Sequence, residues 1–185
     1  MSSPINPTCP TGCASIVPGV AFSACDPKIF FGEIRKIFVA SGDADDFTDV
    51  ESLAEWTARL AQTGGNYASI RELTVSGDQP LPDAGEIEIS NKRKVYPPKK
   101  WVLNFDIDDL TDLNYEFART TGCNQRVKVW YATDDHIFGG AVGIIGDLVI
   151  NPMIERGNQS VQKMTGSFTW EYKFAPERND SPWAV

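Results

Sequence analysis

The sequence is poor in the residues that enzymes and metal sites most often use. It contains one histidine, His136, and four cysteines, Cys9, Cys13, Cys25 and Cys123, among 185 residues. The histidine follows two aspartates in the stretch ATDDH, a composition typical of a surface turn, so we do not expect it to act as a general base. Three cysteines follow the spacing C-x3-C-x11-C, which differs from the paired spacing of zinc sites, and we expect free thiols. The sequence therefore predicts a protein that is not an enzyme and holds no metal or cofactor.

Long apolar runs and an excess of positive charge are also missing. No run reaches the roughly 18 to 20 residues that a helix needs to span a bilayer. The first residues, MSSPINPTCPTG, show neither the basic nor the apolar region of a secretory signal, so we expect synthesis in a cytoplasm and no membrane contact. The formal net charge of −8 argues against duplex binding, because such proteins need lysines and arginines to displace phosphate counterions. An acidic surface suits simple solubility or a wall past which DNA slides.

Several stretches of the sequence show the residue pattern of β-strands. Apolar side chains recur at every second position in two long stretches, which consist of Trp101, Leu103, Phe105 and Ile107 and of Phe168, Trp170, Tyr172 and Phe174. An every-second-residue period is that of a strand with one buried face. Further strand-like stretches lie at 33–40, 70–75, 86–90, 127–131 and 136–150. The glycines of 139–146 lack the lysine of a phosphate loop and predict turns or bulges.

Two short helices are predicted between the strands. The first covers about 49–62 and begins with a T-x-x-E capping box formed by Thr48 and Glu51. Its apolar face consists of Leu53, Trp56 and Leu60. The second begins at Thr111, and its apolar face consists of Leu110, Leu113 and Phe117. This order of elements predicts a mainly β chain, with a single β-sandwich or partly closed barrel, two short peripheral helices and an extended N-terminal arm.

The two ends of the chain differ in composition from the middle. Residues 1–28 contain five prolines, which predicts an extended N-terminal arm whose apolar residues pack either on its own domain or on a second copy. Residues 29–176 are predicted to form the domain, with a protruding loop at about 76–100. Residues 177–185 are predicted to form a polar C-terminal tail.

Charge is distributed unevenly along the chain. Five basic residues surround a stiff Pro-Pro pair, namely Lys92, Arg93, Lys94, Lys99 and Lys100. Two acidic segments, 43–49 and 106–112, contain the candidate contact residues Asp43, Asp45, Asp46, Asp106, Asp108 and Asp109. We predict that the basic cluster of one copy contacts the acidic segments of another, because head-to-tail association of this kind builds rings or filaments. The alternative for the basic cluster is contact with nucleic acid.

Four stretches of the sequence carry a resemblance to a known family. They are GEIRKIFVA, DADDFTDVESLAEWTARL, WVLNFDIDDLTDLNYEFAR and SFTWEYKF. Together they resemble the tail-tube-like virion proteins of bacteriophages, with the closest likeness to phages of Bacteroidetes-type bacteria, over residues 32–176. The resemblance implies a β-sandwich or barrel with a flanking helix, assembled into rings, commonly hexameric, that stack into a hollow tube. It also implies that a long loop, here 76–100, and the chain termini, here 1–28, bridge neighbouring subunits.

The leading functional interpretation is a self-assembling tail tube protein of a virion, made in the cytoplasm of a bacterial host. Its partners would be further copies of itself and other virion proteins, with DNA only as passing cargo. A capsid decoration or head–tail joining protein is the first alternative. A carbohydrate-binding β-sandwich is the second; its stacking platform would draw on Trp56, Trp101, Trp130, Trp170 and Trp183, although alternating positions predict that most of them are core.

Overall fold

The computed structural model describes residues 32–61, 70–83, 85, 87–89, 93–95, 97–121, 126–154 and 162–183. The strands are β1 (Ile34–Ser41), β2 (Ile70–Asp78), β3 (Ile87–Ile89), β4 (Arg93–Val95), β5 (Lys99–Ile107), β6 (Arg126–Ala132), β7 (His136–Phe138), β8 (Ile144–Met153), β9 (Lys163–Tyr172) and β10 (Arg178–Asp180). The helices are α1 (Leu53–Leu60) and α2 (Asp112–Thr121). The predicted N-terminal arm, 1–28, lies outside the described residues.

Six of the strands close into a barrel. Eight strands form one antiparallel sheet in the order β1-β2-β5-β9-β8-β6-β7-β10, and β1 also pairs with β6 along most of its length. Since that pairing joins the first strand of the series to the sixth, both edges of all six strands are paired. Strands β7 and β10 extend the sheet outside the barrel, and β3 and β4 form a separate two-stranded sheet. The mainly β fold with two helices is confirmed, and its sheet is a closed barrel.

The barrel interior is filled by the alternating residues that the sequence indicates. The inward side chains of β5 are all buried: Trp101, Leu103, Phe105 and Ile107. Strand β9 pairs with β5 so that Phe105 lies opposite Gly166. A Cβ at Gly166 would lie 2.2 Å from an atom of the Phe105 ring, so the absence of a side chain at this position makes room for that ring.

The outer face of β1 and β6 is buried as well. Trp130 of β6 is buried there, in a second apolar cluster outside the barrel. There its ring lies edge-on to Trp56 of α1, with centroids 5.9 Å apart, and Phe47 packs on Trp56 at 4.3 Å. Phe38 of β1 stacks on Trp183 at 5.0 Å. These two strands therefore have an apolar layer on each side.

Helix α1 begins later than predicted. Ser52 is its N-cap, and the Ser52 side chain accepts a hydrogen bond from the backbone of Glu55. The capping box predicted at Thr48 and Glu51 is therefore wrong, although the same spacing recurs at 52 and 55. Glu55 uses its carboxylate differently, since it accepts hydrogen bonds from the backbone N–H groups of Thr48 and Asp49, each at 3.1 Å. The loop before the helix is thereby closed onto the first helical turn.

Helix α2 packs against the barrel interior with a different face from the one predicted. Ala118 belongs to the interior cluster, and Phe117 packs against it. Leu113 is 73% exposed and Leu110 is also exposed, so the prediction that these two share the buried face with Phe117 is wrong. Arg71 of β2 lies over the Phe117 ring, 4.8 Å from its centroid, and orients this face of the helix toward the barrel.

The glycine-rich segment after β7 contains a turn, one of the two forms that the sequence predicts, and this turn wraps the ring of Trp130. Gly139 and Gly143 have φ angles of 127° and 79°, a conformation that side-chain-bearing residues rarely adopt. A Cβ at either position would lie within 2.7 Å of the Trp130 ring. The indole nitrogen of Trp130 donates to the carbonyl of Gly140 at 2.8 Å, so the turn also satisfies the one polar atom of this buried ring.

The C-terminal residues belong to the domain rather than to a separate tail. Strand β10 pairs with β7, Ser181 is buried, and Trp183 packs on the outer apolar cluster. We name residues 177–183 the strap. The structure thus differs from the predicted domain boundary at 176, because backbone pairing and one aromatic side chain anchor a segment whose overall composition is polar.

Candidate functional site

The segment between β2 and β5 is a candidate functional projection. The two strands are direct neighbours in the barrel, and beyond their ladder Asp83 still pairs with Lys100 through two backbone hydrogen bonds of 3.1 and 3.2 Å. A short turn at that point would suffice to connect two antiparallel neighbours. Instead residues 84–98 intervene, and they contain the hairpin of β3 and β4. We name 84–98 the inserted segment; closure of the barrel does not require it.

The predicted basic cluster lies on the inserted segment and at its base. Arg93 and Lys94 belong to β4, whereas Lys99 and Lys100 open β5. Lys92 lies outside the described residues. The exposed Lys100 is fixed to the barrel through the Asp83 bridge, so the cluster starts from a rigid base. Contact of these residues with another copy stays a prediction.

The first acidic segment is held in place by two buried cations. Lys128, only 6% exposed, donates to a loop carbonyl and, at 2.8 Å, to the carboxylate of Asp46. Arg59 donates to the carbonyls of Asp45 and Asp46 at 2.7 and 2.6 Å. The Asp46 side chain is therefore engaged within its own chain. Asp43 and Asp45 are exposed residues and remain the predicted contact residues of this segment.

The second acidic segment is also partly engaged. The carboxylate of Asp106 accepts hydrogen bonds from Lys163 and Thr165, both at 2.9 Å. Asp109 accepts from the backbone of Thr111 at 3.2 Å and thereby orders the start of α2. Asp108 is exposed. Asp106 and Asp109 thus have structural roles within the chain. A contact with another copy would have to use carboxylates that already accept hydrogen bonds in their own chain.

Two carboxyl groups are tuned by these networks. The hydrogen bond from Lys163 lowers the pKa of Asp106 below its ordinary value of 3.8. Burial opposes this effect, and the bond from Thr165 and the charge of Lys163 add to the lowering. Partial burial on its own raises the pKa of Glu55. The backbone donors of Asp49 and Thr48, together with Arg59, outweigh that effect, and the net pKa lies below 4.5.

Sequence reasoning missed an exposed apolar group beside the second acidic segment. Leu110, Leu113 and Tyr115 are all exposed and lie among the acidic residues 108–116. Apolar groups of this kind, surrounded by charge, are typical of protein contact surfaces. The spacing of Leu110, Leu113 and Phe117 is that of a buried helical face, and only the packing of α2 shows which residues it leaves outside.

A second exposed apolar group lies on the outer face of β8. Val149 is 50% exposed, and Ile145 and Met153 are exposed on the same face. The neighbouring strand β9 presents Thr169 opposite Asp147 and Ser167 opposite Val149. Among the described elements, none covers this face, in contrast to the outer face of β1 and β6.

His136 is not the surface turn residue that the sequence predicts. It is 7% exposed at the start of β7, with its Nε2 atom 3.9 Å from the carboxylate of Asp180. In the described part of the chain, no three or more His, Cys, Asp or Glu side chains are grouped so that they could hold a metal ion. The four cysteines lie outside that part.

The tryptophans are mostly core residues, as predicted. Four are buried, namely Trp56, Trp101, Trp130 and Trp170, and the fifth, Trp183, is half-buried against Phe38. Their indole faces are therefore largely used in packing within the chain. A sugar-stacking platform on this fold would need other residues.

Comparison with protein-family models, with curated proteins and with solved structures finds no match to this chain. Neither helix among the described residues has the length and apolar character needed to cross a membrane. The candidate site therefore rests on the geometry of the chain itself.

Proposed function

We propose that this chain is a structural protein of a phage virion, whose copies assemble into stacked rings that form a tail tube for the passage of DNA. The inserted segment carries this proposal. It is an addition to a barrel that closes without it, its two strands form a sheet of their own, and β4 contains Arg93 and Lys94 of the basic cluster. Long insertions between neighbouring strands of a compact domain usually have a function of their own. The resemblance to tail-tube-like proteins implies a bridging loop at 76–100, a range that includes the inserted segment.

The remaining surface supplies acceptors for such a projection. The exposed residues Asp43, Asp45 and Asp108 offer negative charge, and the exposed Leu113 of α2 offers apolar area. Complementary charges of this kind set the direction and register of association more than its strength. A chain with one basic projection and acidic acceptors elsewhere suits head-to-tail association, which gives closed rings or open filaments according to the rotation between neighbouring copies. The net charge of −8 suits a lumen to which DNA does not adhere.

Removal of the inserted hairpin tests the proposal. Because Asp83 and Lys100 are already bridged, deletion of residues 86–97 leaves a short connection between paired strands and should preserve the barrel. We expect the deletion variant to keep its β-type circular dichroism and to remain monomeric in light scattering. The full chain should form rings or tubes in negative-stain electron microscopy. Tubes formed by the deletion variant would contradict the role of the segment.

A charge reversal separates the basic cluster from the fold. The triple variant Lys92→Glu, Arg93→Glu, Lys94→Glu should lose assembly while remaining folded. The matched control changes three exposed arginines elsewhere and alters the net charge equally; it consists of Arg35→Glu, Arg119→Glu and Arg126→Glu. Equal loss of assembly in both variants would assign the effect to net charge alone. A full chain that stays monomeric but coats capsids would favour the decoration protein over the tube.

A further inference from the structure

The strap occupies a groove built for an extended peptide. Its backbone adds a strand to the outer edge of β7, with Arg178 opposite Phe138 and Asp180 opposite His136. Hydrogen bonds of 3.0 and 2.9 Å, from Gly139 to the carbonyl of residue 177 and from residue 181 to the carbonyl of residue 135, close the two ends of this pairing. Addition of a strand to a sheet edge is a common mode of peptide recognition, in which backbone bonds give affinity and side-chain pockets give specificity.

Trp183 is the side chain that the groove recognises. Its ring stacks on Phe38 with centroids 5.0 Å apart and an interplanar angle of 12°, and it lies 5.4 Å from Trp56. Lys36 places its ammonium group 5.2 Å from the same ring. The groove therefore combines a strand edge with an aromatic pocket that includes the Lys36 ammonium group. A peptide with a tryptophan three residues after the paired strand fits both parts.

The connection between β9 and the strap is short and irregular. Residues 173–176 form a bend without regular structure, and they include Pro176, before which a helical conformation is disfavoured. The strap contacts described above are with β7, β1 and α1, and not with β9, from which the strap emerges. Straightening of the bend would carry the strap away from its own groove without a change in β9.

We propose that the strap of one copy occupies the groove of a second copy when the chains assemble. Exchange replaces each strap contact by an identical one, so its cost lies in the connection and in bringing two chains together, and such exchange is a low-cost route to association. Assembly raises the effective concentration of neighbouring grooves and favours exchange. The inference rests on the proposed self-assembly but adds a contact that the inserted segment does not supply.

A disulfide trap tests the exchange. Arg178 and Phe138 lie opposite each other between two hydrogen-bonded positions, and residues in such non-bonded pairs have Cα atoms about 4.5 Å apart, within the range of a disulfide. A chain with both Arg178→Cys and Phe138→Cys shows whether a disulfide forms between the strap and β7 when the strap occupies the groove. A mixture of two chains, each with one of these substitutions, is unfolded, refolded together, concentrated and oxidised. A covalent dimer joined through positions 178 and 138, identified by peptide mapping, is expected.

The controls distinguish exchange from other cross-links and from failure of assembly. Each single variant alone gives the background from native cysteines. Rings in electron microscopy without a 178–138 dimer above background would overturn the exchange and leave the tube proposal intact. Dimers without rings would support the exchange and count against the tube, and the absence of both would overturn both.

Discussion

Substitution of Trp56 by alanine should test whether α1 is an integral part of the fold. Trp56 is 0% exposed, and its ring lies within 6 Å, centroid to centroid, of four other aromatic rings: Phe38, Phe47, Trp130 and Trp183. Its indole nitrogen donates to the carbonyl of Val50 at 2.7 Å. The Trp56 side chain thus contacts β1, the first acidic segment and the strap.

The expected loss in the free energy of unfolding is large. Truncation of a buried tryptophan to alanine costs about 3–5 kcal/mol, because the cavity is only partly refilled. The unpaired Val50 carbonyl places Trp56→Ala at about the upper end, 5 kcal/mol. Trp56→Phe keeps most of the ring and loses the hydrogen bond, so we expect about 1–2 kcal/mol. Leu53→Ala, on an exposed residue of the same helix, should change stability by less than about 0.5 kcal/mol.

Urea unfolding followed by circular dichroism measures these differences. The midpoint should fall in the order Leu53→Ala, Trp56→Phe, Trp56→Ala with little change in the dependence on urea concentration, because the same surface is exposed in each case. A loss of less than about 1.5 kcal/mol for Trp56→Ala would refute the reasoning. It would mean that the outer cluster is not a cooperative part of the barrel.

Three further predictions follow from the described contacts. The folded-state pKa values of Asp106 and Glu55 lie below their ordinary 3.8 and 4.5. Their contribution to the free energy of unfolding is therefore present above about pH 4.5 and is lost as the pH falls through the lowered values. Asp106→Asn should flatten the acid limb of a stability–pH curve, and an unchanged limb would contradict this. Gly143→Ala combines a positive φ with a Cβ 2.6 Å from Trp130 and should lower stability by about 2 kcal/mol in urea unfolding, whereas Gly32→Ala, with open space around it, should be nearly neutral. Leu113→Glu should leave the thermal midpoint unchanged and weaken self-association in light scattering, since Leu113 is exposed; a clear fall in the midpoint would show that it is packed.

The local character of the chain was readable from the sequence. The strict alternation from Trp101 to Ile107 predicts a half-buried strand, and β5 buries each of those side chains. The glycines around Gly139 predict a turn, and their positive φ angles confirm it. Signals of this kind depend on neighbours a few residues apart, which is why a single sequence contains them.

Which of two similar local signals is used depended on distant contacts. The spacing of a capping box occurs at both 48–51 and 52–55, and Arg59 favours the second because it binds the loop before it and pairs with Glu55 at 2.8 Å. Likewise the face of α2 that meets the barrel includes Phe117, over which Arg71 of β2 lies. In each case a cation that contacts a second segment of the chain selects among local alternatives.

By itself the sequence determined the strand periods, the two helices and the uneven charge, because each is a property of residues close together in the chain. The tertiary structure alone decided that β1 pairs with β6 to close the barrel, that the inserted segment stands outside it, and that a polar strap covers Phe38. Those outcomes depend on contacts between residues far apart in the chain, some of them about a hundred positions or more. The residues next to each partner do not indicate which distant segment it will contact.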